Sequence, residues 1–99
     1  MIRHIIMWDF KDGFTDEENK ANAQEVKKRL EALANAIPGI VSIKVVTSVL
    51  PGSNRPLMLN SLFESEDALA AYQIHPDHVS AGGFVKSVTQ NRSCIDYQE

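Results

Sequence analysis

The chain has 99 residues, 43% of them hydrophobic and 23% charged, with a formal net charge of −3. That length suits one domain with a modest core of its own, and the composition is that of an ordinary globular protein. The slightly acidic balance gives no electrostatic reason to expect nucleic acid or an anionic membrane as partner.

In chain order, residues 2–10 alternate as a strand does. Ile2, His4, Ile6, Trp8 and Phe10 share one face, and Arg3, Ile5, Met7 and Asp9 share the other. Lys11-Asp12-Gly13 turns the chain. Thr15-Asp16-Glu17-Glu18 has the form of a capping box, with carboxylates in the first turn where the helix dipole favours them. It predicts a helix from Asp16 to Ala36. Val26, Leu30, Leu33 and Ile37 form its buried stripe, and Pro38-Gly39 stops it.

Residues 40–49 predict a second strand, with Val41, Ile43 and Val45 opposite Ser42, Lys44 and Val46. Leu50 to Pro56 reads as a loop. Leu57 to Glu64 is a third strand, with Leu57, Leu59, Ser61 and Phe63 opposite Met58, Asn60, Leu62 and Glu64. Ser65 caps a second helix, Glu66 to Gln73, that buries Leu69 and Tyr72. Gly82-Gly83 should let the backbone bend, with a short helical turn at Phe84, Val85 and Val88. Arg92 to Tyr97 is the last strand, with Ser93, Ile95 and Tyr97 opposite Arg92, Cys94 and Asp96.

The order is β-α-β-β-α-β, a ferredoxin-like α+β fold with a four-stranded antiparallel sheet. Two helices cover one face of such a sheet. The other carries Ile5, Met7, Val46, Met58 and Leu62, too apolar to stay wet, so a second copy of the sheet is expected to cover it. No apolar run approaches a membrane span, and Arg3, His4 and Asp9 interrupt any signal-peptide plan. The one cysteine, Cys94, permits no internal disulfide and is expected to be inert packing. A cytoplasmic protein is expected.

The chemistry gathers in Tyr72-Gln73-Ile74-His75-Pro76-Asp77-His78-Val79. Proline pushes His75 toward extended geometry and suits the first turn of a new helix, so the stretch reads as a kinked elbow carrying imidazoles and a phenol. His78 titrates near neutrality and can serve as a base, and Tyr72 can donate its hydroxyl to a developing oxyanion. The plainer reading is a polar surface corner, with His78 a capping histidine and Tyr72 a core aromatic with a wet tip. His4 is read as a satisfied core histidine or pocket lining, and His75 as a brace for the elbow backbone. Three histidines could compose a zinc site, but His75 and His78 straddle the kink, so no metal is expected. No phosphate loop, nucleophile elbow or other cofactor motif is present, and no cofactor is expected.

His4 in Ile-Arg-His-Ile-Ile, the Pro38-Gly39 turn, Phe63-Glu64-Ser65, the segment Ala71 to Val79 with its H-P-x-H-V motif, and Ile95-Asp96-Tyr97 together resemble the stress-responsive A/B barrel (Dabb) family over nearly the whole chain. The resemblance implies a homodimer whose sheets form a central barrel with the helices outside. Its enzymatic branch, the plant polyketide cyclases, implies His78 as base, Tyr72 as holder of the substrate oxygen, and His4 in the same cavity. Where that branch adds a pocket histidine on the third strand, this chain has Leu57.

Two functional classes follow. One is a cofactor-independent enzyme or binder for a small, mostly apolar, carbonyl-bearing molecule. Its pocket would be lined by His4, Ile6, Trp8, Leu57, Leu59 and His75, with His78 and Tyr72 as the catalytic pair. The other is a non-catalytic, stress-related homodimer whose histidines only fix the corner.

Overall fold

The computed structural model describes all residues, Met1–Glu99. Strands β1 (Ile2–Phe10), β2 (Ile40–Val46), β3 (Leu57–Phe63) and β4 (Thr89–Gln98) form one antiparallel sheet in the order β2-β3-β1-β4. Helices α1 (Asp16–Glu31), α2 (Glu66–Ile74) and α3 (Pro76–Val88) complete the fold. The ferredoxin-like order is present, with the elbow dividing the second helical region in two. No helix is long and apolar enough to cross a membrane.

Thr15 caps α1 as the sequence predicts: its hydroxyl accepts from Glu18 N–H at 3.1 Å, and Glu18 Oε1 accepts from Thr15 N–H at 2.9 Å. The stripe of Val26, Leu30, Leu33 and Ile37 is buried throughout. The α-helix itself stops five residues before the predicted Ala36, and Ala32–Asn35 continue as a 3₁₀ turn. There the Leu33 carbonyl accepts from both Ala36 and Ile37, a tightening common where a helix must end. Gly39 then takes φ +90, and a Cβ there would lie 2.6 Å from Ala68 Cβ, so only glycine lets this turn press on α2.

The predicted face of β2 is corrected. A bulge between Ile40 and Ser42 sets Ile40 opposite Phe63 and Ser42 opposite Leu62. Ile40, Ile43 and Val45 thereby share the helix-side face, and Val41 is squeezed outward, 45% exposed. β2 also ends at Val46 rather than at residue 49, since the same register would set Ser48 opposite Pro56, which has no N–H to donate. Gly82-Gly83 makes no bend. Both glycines lie inside α3, which runs unbroken to Val88. β4 starts three residues earlier than predicted, at Thr89.

The core lies between helices and sheet, with Ile2, Ile6, Trp8, Leu57, Leu59 and Phe63 from the sheet meeting Val26, Leu30, Leu69, Tyr72, Ala81 and Val85 from the helices. On the opposite face Ile5, Met7, Val46, Met58 and Leu62 are only half-buried, and Ile95 and Tyr97 are exposed.

Candidate active site

The elbow is built locally. His75 ends α2 with extended backbone (φ −65, ψ 135), and Pro76 opens α3 at its first position, where no N–H is missed. His75 Nδ1 accepts from Asp77 N–H at 3.1 Å, so this ring caps α3. That turn of backbone sets His78 above Tyr72, with ring centroids 4.2 Å apart. His78 Nδ1 lies 3.2 Å from the Gln73 carbonyl. A carbonyl only accepts, so Nδ1 carries the hydrogen and Nε2 keeps its lone pair.

Tyr72 is 1% exposed and packs against Phe63 at 4.8 Å between ring centroids. His4 stands edge-on to Tyr72 at 6.3 Å, completing an aromatic cluster from β1, β3, α2 and α3. The Tyr72 hydroxyl is buried and meets no protein donor or acceptor. Such a group is costly to leave unpaired.

Beside this cluster is a cavity of about 400 Å³, within the size range of small-molecule sites. Its wall includes His4, Ile6, Trp8 and Leu59 from the sheet, with Tyr72, His78 and Leu30 from the helices. Two residues expected on the wall are absent from it. Leu57 is fully buried opposite Trp8 on β1, and His75 is committed to its capping bond.

The site separates its two polar groups by acidity. Burial pushes the Tyr72 phenol up to about 12, against a smaller opposing pull from Arg92. Burial lowers the His78 imidazole from its ordinary value; the Gln73 carbonyl opposes this, while His4, Arg92 and Lys86 add to it. At neutral pH Tyr72 is a donor and His78 an unprotonated acceptor.

His4 is 3% exposed, and its Nδ1 is hydrogen-bonded to Asp96 Oδ1. Cys94 Sγ is 3.6 Å from the same carboxylate oxygen and 3.9 Å from His4 Nδ1. These three residues, rather than the three histidines, are the group whose ligand atoms converge, all within 4.8 Å. Cys94 is exposed and not packed inside. Partial desolvation of its sulfur, together with Asp96, raises its thiol above the ordinary value.

The sequence reading missed Leu30, Gly82, Val85, Lys86 and Arg92 on the cavity wall, having placed Leu30 only in the buried stripe of α1. A signal for Arg92 existed, since it shares a strand face with Cys94 and Asp96. Only the register pairing His4 with Asp96 and Ile6 with Cys94 turns that face toward the cavity.

A family model, Stress responsive A/B Barrel Domain (Dabb), matches residues 2–99. The chain belongs to the Dabb family. This Dabb chain is 29% identical to olivetolic acid cyclase from Cannabis sativa, covering 97% of this chain and 94% of that one. A dimeric protein of ferredoxin-like fold from Bacteroides fragilis superposes with a TM-score of 0.90 at 31% identity, over 99% of this chain and 95% of the other. Hydroxynitrile lyase from Passiflora edulis superposes at 0.79 with 15% identity, over 97% and 90%, which is a likeness of fold.

Proposed function

We propose that this Dabb protein binds a small carbonyl-bearing compound in the cavity and moves a proton on it without a cofactor. Tyr72 donates to the carbonyl oxygen, and His78 Nε2 takes the proton from the adjacent carbon and returns it. The observation that carries this reading is the buried Tyr72 hydroxyl with no protein partner, in contact with an imidazole whose acceptor nitrogen is free. As charge develops on the carbonyl oxygen, a donor already held in a dry site stabilises it more than water would. A relative that is a cyclase, olivetolic acid cyclase, supports small-molecule chemistry here.

The same proposal includes a homodimer through the open sheet face. Ile95 is 56% exposed and Tyr97 44%, beside half-buried Ile5, Met7 and Leu62. Relatives of this fold from Bacteroides fragilis and Thermobifida fusca are described as dimeric.

The test is hydrogen–deuterium exchange at the benzylic carbon of phenylacetone, a neutral ketone, followed by NMR in heavy water. Wild-type protein should accelerate exchange above buffer, and His78→Asn should lose at least about 100-fold of that acceleration. Tyr72→Phe should lose a comparable amount. Exchange that is unchanged in both variants would remove the catalytic reading and leave a binding or structural dimer.

A further inference from the structure

The cavity wall carries two cations that the proton-transfer pair does not use. Arg92 and Lys86 both lie on its wall, and no carboxylate does. Neither cation makes an ion pair within the chain. Two acids of the flanking strands β1 and β4 are engaged elsewhere: Asp96 with His4, and Asp9 with Asn91 Nδ2 at 2.9 Å and Arg55 at 3.9 Å. Arg92 and Lys86 share the cavity wall with Tyr72 and His78.

The backbone presents Arg92 by a local device. Between Met7 and Asp9 the β1–β4 register slips, so that Asn91 and Arg92 together stand opposite Trp8. Asn91 takes φ 54, the left-handed conformation that asparagine tolerates better than most residues, and its side chain is tied to Asp9. Such a bulge beside a pocket re-aims a side chain. Here it sets Arg92 beside Trp8 on the cavity wall.

We propose that the cavity selects an oxo acid: a carboxylate lies against Arg92, with Lys86 nearby, while the acid's carbonyl oxygen accepts from Tyr72. This rests on the reading of Tyr72 and His78 given above and adds the charge of the ligand to it. A planar guanidinium matches a carboxylate in two parallel hydrogen bonds. Arg92 is exposed, so water screens the pair and the selectivity it gives is modest.

Phenylpyruvate and its methyl ester are the probes, alike except for the charge, and their affinities are read by titration calorimetry. For the wild type the acid should bind about fivefold tighter than the ester, with the difference shrinking in added salt. Arg92→Leu should bring the two affinities together, with the loss falling mainly on the acid, and Arg92→Lys should keep part of the preference. Equal binding of acid and ester by the wild type would overturn the proposal. So would a preference that survives Arg92→Leu, or binding of neither probe at millimolar concentration. The exchange assay with phenylacetone carries no charge and separates the two ideas. Acid preference without ketone exchange removes only the catalysis, and exchange without acid preference removes only the oxo acid.

Discussion

Burial moves Tyr72 and His78 in opposite directions, and each displacement predicts a pH dependence. The free His78 imidazole must be unprotonated to act, and its acidity constant lies below 6.5, so exchange activity should rise through that lower value and be level by neutrality. The plateau should hold well above pH 8, because Tyr72 keeps its proton until about 12. Stability carries the complementary signature. The unfolded chain releases the tyrosine proton near 10.0 while the folded chain holds it to about 12, so stability should fall as pH rises through that window. For His78 the unfolded chain takes up a proton first as pH falls below 6.5, so stability should fall on the acid side. Melting curves of wild type against Tyr72→Phe from pH 9 to 12 check the first: the two should diverge as the wild type loses stability. Parallel curves would mean that the phenol is wetter than its 1% exposure indicates.

Each element has one position where its sequence and its packing meet. In α1, Thr15→Ala should cost about 1 kcal/mol, the usual value of a lost N-cap bond. Leu30→Ala should cost about 2–3 kcal/mol, the lower part of the range for buried leucine, because Leu30 already borders the cavity. Between α1 and β2, Gly39→Ala meets both a positive φ and a Cβ contact of 2.6 Å, so it should be more damaging than Thr15→Ala despite adding a single methyl. Denaturant melts of the three variants test this order. In α3 a glycine works the other way. A Cβ on Gly82 meets nothing within 4 Å, and Gly82 is part of the cavity wall. Gly82→Leu should hold or raise the melting temperature, since leucine is the better helix former, while reducing phenylpyruvate affinity by filling the space. Unchanged affinity would place the ligand elsewhere.

For the whole molecule the open face of the sheet is the decisive surface. Met7 and Leu62 sit there half-buried, so Met7→Asp or Leu62→Asp puts a charge where a second sheet would pack. Either variant should convert the proposed dimer to monomer or aggregate in sedimentation, whereas wild type that sediments as a folded monomer at micromolar concentration would exclude the barrel. The cavity lies on the helix side of the sheet, so a folded monomeric variant should still bind phenylpyruvate if the site is complete within one chain.

The sequence by itself determined the elements that depend on near neighbours. The Thr15 capping box, the Ser65 cap and the His75-Pro76 corner each act within a few residues, and all three stand where the sequence put them. The alternation of β1 and β3 was legible because their helix-side residues are buried at every second position. Tyr72 and His78 were legible as a pair for the same reason, since six residues and one proline fix their meeting. Tertiary structure decided what depends on register. Whether Val41 faces in or out follows from a bulge opposite Phe63, and nothing in residues 40–46 encodes it alone. Arg92 reaches the cavity because β4 pairs with β1 across more than eighty residues and slips by one at Trp8. His4 finds Asp96 by the same pairing, and Leu57 drops below the wall beside Trp8. Strand pairing of this range is settled by the summed burial of a whole face. Local pattern can propose which residues share a side, and only the assembled sheet chooses their partners.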